Sequence, residues 1–491
     1  MLNFLDRQFK DFTQGEYVYF TKKFNKEKHF LTFSSLSEDK NALHHDVDYA
    51  KNTPYARPIV PMHLAALPLS MIAGMIFPGH RSLYLSATIN SIKPIYYDEE
   101  MHYSAKIVSA SEAMQTLRIR TIIYQEASIF LQAEQIIKVR DDLIPDVFLE
   151  KINNENLSHI SRAKIKPKIL ITGASGEIGR CIAFLLAKCG YDLLLHYQKN
   201  ECAIDELLEK CKNEGVQVKK YRANLIDPIE RKELTDTLKN ELVTHFIHAA
   251  SANITDEFEA LMASNYLALK ELSHVLLPNM LKQQLGRIIF LGSGAMHYYP
   301  LGWDNYVAAK SAAVSYTNYL HKNYHAYDIS ALTISPGFVA TPFSESFRTK
   351  ATVSLLPEQV AEYVVNTLHG KESSSYHRLE TNLQQDGFYG FYANKIKESR
   401  ETEHQSINTL PECHLPPDIL KTKLDQITRS FFKLDNHFDL EGVRFEQLAH
   451  WDSLKHIQFI LTVERELNIS FNSAAIGNIQ SYHDLVNSVR P

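Results

Sequence analysis

Cysteine is scarce in this chain, and tracts of one charge are missing. The 491 residues include five cysteines. None are spaced as CxxC, which argues against structural zinc and a disulfide framework and favours a reducing compartment. The formal net charge of −5 gives no reason to expect a nucleic acid or an anionic membrane surface as partner. With an ordinary composition, 45% hydrophobic and 22% charged, these absences favour a soluble cytoplasmic protein.

The N-terminus and one apolar stretch bear on secretion and membrane insertion. Charged residues interrupt the apolar ones from Asp6 onward, so no signal peptide is visible. Residues 59–77 are apolar enough for a membrane span to be considered. They contain Pro61, His63 and Pro68, lack flanking basic clusters and are short for a span. We therefore predict a buried core helix there.

Two polar stretches divide the chain into three parts. A chain of 491 residues is too long for one core, so two to four domains are expected. Stretches without hydrophobic periodicity predict linkers over 146–165 and 396–415. The predicted units are therefore residues 1–145, 166–395 and 416–491.

The hydrophobic pattern differs between these parts. In the first, four stretches have the two-residue period of half-buried strands and surround the apolar helix near 62–76. In the second, short apolar runs typical of buried parallel strands alternate with helical stretches. The third has helical patterns and no convincing strand. We predict an α+β unit, then a doubly wound α/β sheet, then a small all-α unit.

The segment TGASGEIG, residues 172–179, follows a predicted strand and opens a helix. There Gly173 permits a tight turn, Gly176 lets the backbone approach a pyrophosphate, and Gly179 lets the helix pack closely. The helix N-terminus attracts the anion. The pattern predicts a dinucleotide site, although the glycines alone also fit a βα turn without a ligand.

Four residues farther along carry ketone-reductase chemistry. Tyr306 and Lys310 form YxxxK and so share one helix face, and Ser293 and Asn265 lie thirteen and forty-one residues before the tyrosine. Lys310 is expected to lower the pKa of Tyr306, so that the phenol delivers a proton. Over residues 166–390 the chain resembles short-chain dehydrogenase/reductases of the 3-oxoacyl-carrier-protein reductase type. The resemblance implies that Ser293 holds the substrate carbonyl and Asn265 supports a water path to the lysine.

The resemblance also implies a nicotinamide cofactor. No acidic residue follows the second strand to bind a ribose 2′-hydroxyl, and Lys199 is placed to meet a 2′-phosphate, so NADP(H) is preferred. NAD(H) stays open because Glu177, at a position where the family usually has glycine, disfavours added negative charge. A second departure is residues 248–251, HAAS, where the family has NNAG. The implied nucleotide contacts are Gly173, Ser175, Gly176, Gly179, Lys199, Asn224, Ala250, Tyr306, Lys310, Pro336, Gly337 and Thr341.

Residues 33–60, FSSLSEDKNALHHDVDYAKNTPYARPIV, precede the apolar helix. Together with the strand-like residues 83–107 after that helix, they resemble the MaoC-like (R)-specific enoyl-thioester hydratases, which have a hot-dog fold. The resemblance implies a catalytic pair, Asp39 and His44, sharing protons with one water. It also places Ser70 near the Asp. Where the family has His-Gly, this chain has Pro61-Met62, so a hot-dog domain without activity is the alternative.

Near the C-terminus, WDSLKHIQF is followed by apolar residues at helical spacing. Residues 417–490 thereby resemble acyl carrier proteins, which implies a four-helix domain with 4′-phosphopantetheine on Ser453. Taken alone, Asp-Ser-Leu is simply a favourable helix N-cap.

The three resemblances together predict a multifunctional enzyme of the fatty-acid or polyketide type. A 3-oxoacyl thioester on Ser453 is reduced with NADPH to the (R)-3-hydroxyacyl thioester and dehydrated to the 2-enoyl thioester. Expected partners are acyl thioesters, a ketosynthase, an acyltransferase and a phosphopantetheinyl transferase acting in trans, and a second copy in a homodimer. No metal is expected. The alternatives are a reductase and carrier with an inactive N-terminal domain, or a non-enzymatic carrier scaffold.

Overall fold

A computed structural model of the chain describes residues 7–140, 166–348, 354–369, 376–379 and 417–432, with individual residues between 434 and 489. Both predicted linkers and Ser453 lie outside the described residues. Among the residues that are described, no helix is long and apolar enough to cross a membrane.

In the first part, an antiparallel sheet curves around one helix. Its strands are β1 (Tyr17–Lys23), β2 (Ser82–Ser91), β3 (Glu100–Ser111), β4 (Thr116–Gln125) and β5 (Ser128–Val139), in the order β1-β3-β4-β5-β2. Two short helices, α1 (Leu31–Ser37) and α2 (Val47–Lys51), precede the enclosed helix.

The enclosed helix is continuous from Met62 to Ile76. It consists of α3 (Met62–Ala66), α4 (Pro68–Met71) and a π-helical turn, Ile72–Ile76. Its apolar side chains share one core with residues of the inner sheet face such as Tyr103 and Ile119. The buried helix predicted over residues 62–76 is therefore confirmed.

A parallel sheet of seven strands forms the second part. The strands are β6 (Lys168–Thr172), β7 (Asp192–Tyr197), β8 (Val218–Arg222), β9 (His245–His248), β10 (Gly286–Leu291), β11 (Ile329–Pro336) and β12 (Tyr376–Leu379). Their order is β12-β11-β10-β9-β6-β7-β8. The strand order reverses between β6 and β9, and ligands bind at such a reversal in doubly wound sheets. The predicted α/β sheet is confirmed.

Helices cover both faces of this sheet. They are α5 (Glu177–Lys188), α6 (Glu201–Asn213), α7 (Pro228–Leu238), α8 (Phe258–Met262), α9 (Ala268–Gln283), α10 (Ala295–Tyr298), α11 (Asp304–Tyr324) and α12 (Pro357–His369). One face packs against α5 and α12, and the other against α9 and α11. Because helices cover both faces, the inner strands are almost wholly buried.

The two sheets are joined by a contact that the sequence did not predict. Lys106 and Arg120, on the outer face of the antiparallel sheet, each lie 2.8 Å from Asp328 of the α/β unit. Lys106 also donates to the carbonyl of Gln284 at 2.7 Å. Burial lowers the pKa of Lys106, while Asp328 acts in the opposite direction. The two units therefore share an interface that combines these polar contacts with an apolar core, to which Ile122 and Tyr124 of the antiparallel sheet belong.

The described residues of the third part are mainly helical. Helix α13 (Pro417–Phe432) and helix α14 (Tyr482–Val489) share a small core in which Leu424 and Leu485 pack with Ile136 of strand β5. The four-helix carrier arrangement stays a prediction.

Candidate active site

The glycine turn after β6 is sterically constrained at two positions. Gly173 has φ +71°, and a Cβ there would lie 2.9 Å from backbone atoms of Ala250. A Cβ on Gly179 would lie 2.3 Å from the carbonyl oxygen of Gly173. Gly176, with φ −79°, is the N-cap of α5 and has room for a Cβ. The turn therefore needs glycine at 173 and 179, and α5 directs its free amides at any anion bound there.

Charge near this turn is partly compensated. Glu177 lies 2.6 Å from Arg180 on the next turn of α5, so its carboxylate is paired. After β7, Gln198 and Asn200 line the cleft, whereas Lys199 is exposed beside it. The first acidic residue beyond them, Glu201, is hydrogen-bonded to Lys220 and Tyr197.

Two buried histidines brace the turn. His196 accepts the Gly173 N–H at 3.3 Å on Nδ1 and donates from Nε2 to the carbonyl of Ala223 at 3.0 Å. His248 accepts the Thr172 hydroxyl at 2.8 Å and donates to the carbonyl of Ser264 at 2.9 Å. Burial lowers the pKa of His196 to about 4 and that of His248 to about 3. Sequence reasoning assigned neither histidine a role.

These histidines predict a loss of stability in mild acid. An unfolded histidine has a pKa of about 6.5. Below that pH the unfolded chain therefore binds protons that these buried histidines do not bind in the folded chain. Each histidine should therefore lower the free energy of unfolding by about 1.4 kcal/mol per pH unit as the pH falls from about 6.5 towards the folded value. Thermal melting between neutral pH and the acid range measures this. His196→Asn should flatten the dependence, and an unchanged dependence would contradict the assignment.

The predicted catalytic residues come from two consecutive crossovers, β9 to β10 and β10 to β11. Tyr306 and Lys310 lie one turn apart on α11, Ser293 follows β10, and Asn265 lies in a π-helical turn, Ala263–Leu267, between α8 and α9. Ser293 and the Tyr306 phenol are hydrogen-bonded. The Lys310 ammonium donates to the carbonyl of Leu291 at 2.8 Å and lies 5.6 Å from the centre of the Tyr306 ring.

Burial dominates the protonation of this group. It raises the pKa of Tyr306 to about 12, although the hydrogen bond with Ser293 acts in the opposite direction. It lowers the pKa of Lys310 to about 7. The prediction that Lys310 lowers the pKa of Tyr306 is therefore wrong for this structure, because desolvation raises that pKa and Ser293, not Lys310, acts against it. At neutral pH the phenol keeps its proton and can act as an acid.

Asn265 lies just behind the cleft wall. Its amide Nδ2 donates to the carbonyl of Leu261 at 2.9 Å and to the hydroxyl of Ser251 at 3.1 Å. Its Oδ1 is buried and has no partner among the described residues. Ser251 is thus the feature of the HAAS segment that contacts the predicted catalytic group.

The glycine turn and three of the predicted catalytic residues, Ser293, Tyr306 and Lys310, line one cleft of about 780 Å³. All the predicted nucleotide contacts line it except Lys199. Aromatic and apolar side chains form part of its lining, namely Tyr298, Pro300, Trp303, Phe338 and Phe343. The Trp303 ring meets the Tyr306 ring edge-on at 5.9 Å. Sequence reasoning missed this wall, although the aromatic run HYYPLGW just before YVAAK was a signal for it.

The second predicted pair lies in the loop after α1. The Asp39 carboxylate accepts the Asn41 N–H at 3.0 Å, and His44 donates from Nδ1 to the carbonyl of Ile59 at 2.9 Å. A carbonyl can only accept, so a neutral His44 keeps Nε2 unprotonated and able to act as a base. Both side chains are half-buried. Ser70, predicted to lie near Asp39, is exposed on the enclosed helix.

The described part of the chain holds no group of three or more His, Cys, Asp or Glu that could bind a metal ion.

The family described as short chain dehydrogenase matches residues 167–352. A 3-oxoacyl-[acyl-carrier-protein] reductase of Synechocystis sp. is 26% identical over 202 residues, which cover 38% of this chain and 80% of the relative. A reductase of the same description from Thermotoga maritima is 26% identical over 225 residues, 42% of this chain and 91% of the relative.

Among solved structures, a short-chain dehydrogenase from Sphingobium yanoikuyae in complex with NADPH is similar. It has a TM-score of 0.41 and 19% identity, covering 50% of this chain and 97% of that one. The family match contains the glycine turn, both constrained glycines and all four predicted catalytic residues. Residues 167–352 thus form a domain of the short chain dehydrogenase type.

Proposed function

We propose that this domain reduces a 3-oxoacyl thioester to the 3-hydroxyacyl thioester. The observation that supports the proposal is one cleft lined both by the glycine turn and by the Ser293, Tyr306 and Lys310 side chains. A reduced nicotinamide nucleotide supplies the hydride that adds to the ketone carbon. Tyr306 gives its proton to the ketone oxygen, which Ser293 holds by a hydrogen bond, so the carbonyl becomes an alcohol.

NADP(H) is the proposed cofactor, with NAD(H) as the alternative. Glu201 is engaged by Lys220 and Tyr197, so it is not available to grip a ribose 2′-hydroxyl. The pairing of Glu177 with Arg180 also weakens the objection that its charge repels a 2′-phosphate. Lys199, exposed beside the cleft, stays the candidate for that phosphate.

We further propose dehydration of the alcohol at Asp39 and His44. The hydrogen bond from His44 Nδ1 to the carbonyl of Ile59 favours this second activity, because it leaves Nε2 free to act as a base in the loop that also carries Asp39. The pair takes the proton from C2 and delivers it to the C3 hydroxyl as the C3–O bond breaks, leaving water and the 2-enoyl thioester. The alternative is an inactive domain, so that the product stops at the 3-hydroxyacyl thioester.

The carrier role of Ser453 and the assembly complete the proposal. A 4′-phosphopantetheine on Ser453 tethers the acyl group, which raises its effective concentration at both sites. Chain extension is assigned to a ketosynthase and an acyltransferase in trans, attachment to a phosphopantetheinyl transferase, and the assembly to a homodimer.

Purified protein tests these activities separately. With an acetoacetyl thioester we expect oxidation of NADPH faster than of NADH, and with a crotonyl thioester we expect hydration that Asp39→Ala abolishes. Intact mass spectrometry should show a phosphopantetheine adduct that Ser453→Ala removes. Failure to oxidise either nucleotide would favour the non-enzymatic scaffold, and failure of hydration alone would favour the inactive N-terminal domain.

A further inference from the structure

Tyr97 carries a buried hydroxyl that the described residues do not use. The ring belongs to the core of the first part, and the residue is 8% exposed. Within the described residues its hydroxyl has no hydrogen-bond partner. Leaving a buried polar group unpaired costs about 1–3 kcal/mol. A phenol kept in that state points to a ligand that it binds.

The backbone links Tyr97 to the loop that carries His44. Ile59 and Tyr96 form an antiparallel bridge, and the Val60 N–H donates to the carbonyl of Ile95 at 2.7 Å. Ile59 also accepts the hydrogen bond from His44, and its own N–H donates to the carbonyl of Leu43 at 3.2 Å. The segment before Tyr97 is therefore tied directly to the candidate pair.

Tyr96 and Tyr97 are successive residues whose side chains lie in different surroundings. The Tyr96 hydroxyl donates to the carbonyl of Tyr55 at 3.2 Å, and its ring stacks on Arg57 at the surface. Tyr97 turns inward, into the core that also contains Phe30. The Phe30 ring lies 6.4 Å from the ring of His44.

The charge of Asp39 acts on the same phenol. Burial raises the pKa of Tyr97, and the negative charge of Asp39 raises it further. The phenol is therefore protonated at every pH where the enzyme would work, and it can only serve as a neutral hydrogen-bond donor or acceptor. The Asp39 carboxylate, which accepts the Asn41 N–H on one oxygen, has acceptor capacity left over.

We infer that the Tyr97 hydroxyl holds the water oxygen that is added or released at Asp39 and His44. The inference rests on the proposed dehydration. A water between a carboxylate and an unprotonated imidazole nitrogen donates one hydrogen to each. Its oxygen then needs a donor to fix its position, and the unpaired phenol supplies one. In the dehydration direction the same donor binds the departing C3 hydroxyl before the C3–O bond breaks.

Tyr97→Phe removes this hydroxyl and keeps the ring. We expect kcat for hydration of a crotonyl thioester to fall on the order of 100-fold, because a small misplacement of a reacting atom can cost that much. KM should change little. The thermal midpoint should stay or rise, because the variant deletes an unpaired buried polar group. A purely structural hydroxyl would not give this split between kcat and stability.

Tyr96→Phe is the matched control, since it deletes the neighbouring hydroxyl at the surface and should leave hydration intact. NADPH oxidation with an acetoacetyl thioester should be the same in all three proteins. Unchanged hydration by Tyr97→Phe, with an active wild type, overturns the inference and leaves the proposed dehydratase standing. A wild type without hydration overturns both, and equal losses in both variants would assign the effect to packing.

Discussion

Replacing Tyr306 with phenylalanine is expected to lower the rate of NADPH-dependent ketone reduction by about three orders of magnitude. The phenol is the acid that protonates the ketone oxygen, and phenylalanine cannot donate. The other side chains of the group do not replace it. Ser293 is a far weaker acid, and Lys310 donates to the carbonyl of Leu291. The loss should appear in kcat, measured by NADPH oxidation with an acetoacetyl thioester.

The fold should tolerate this change. Phenylalanine fills the same buried volume on α11 and keeps the edge-on contact with Trp303. NADPH binding, followed by fluorescence, should therefore persist. Tyr316→Phe is a matched control, since Tyr316 lies on the same helix, meets Tyr266 edge-on, stacks on Tyr319 and does not line the cleft. If Tyr306→Phe kept most of the activity, another acid would have to be found.

The strands that the sequence predicted are mainly those with both faces covered. Strands β6, β7, β9, β10 and β11 read as apolar runs because helices bury them on each side. The three strands that the pattern did not predict, β1, β8 and β12, all lie at a sheet edge. An edge strand is covered on fewer sides, and VKKYR of β8 shows how little apolar signal then remains.

Positions in the candidate site were predictable, but their electrostatics were not. Motif spacing located Tyr306, Lys310 and Ser293, and the structure brings them to one cleft. The direction in which the pKa of Tyr306 shifts depends on how deeply the fold buries its side chain. The spacing of the motif does not encode that burial. The same holds for His196, whose role arises only when β7 and the glycine turn become neighbours.

Contacts between units were the least predictable feature. Arg120 reaches Gln284 with a 2.6 Å hydrogen bond across 164 residues of sequence, and Lys106 reaches Asp328 across 222. The hydrophobic pattern of the sequence does not predict such pairs, because the pattern around each partner reflects only its own sheet or helix. They become visible only when both units are folded and packed together.

Gly179→Ala is expected to damage both the fold of the turn and nucleotide binding. The new Cβ would lie 2.3 Å from the Gly173 carbonyl oxygen and 3.0 Å from the Cα of Ala174. Both neighbours are backbone, so α5 must move away from the turn. Forcing such an overlap costs about 1–3 kcal/mol, which should lower the thermal midpoint by several degrees. NADPH affinity should fall at least about tenfold, because the helix N-terminus no longer faces the anion.

Gly176→Ala separates the two effects. The nearest atom to its Cβ would be 3.4 Å away and its φ is −79°, so the thermal midpoint should match the wild type. Any weakening of NADPH binding by this variant would then report on the approach of the nucleotide to the turn, since Gly176 lines the cleft. Calorimetric titration with NADPH and thermal melting on both variants decide the matter. If Gly179→Ala had the thermal midpoint and the NADPH affinity of the wild type, glycine at 179 would not be required for α5 to pack closely on the turn.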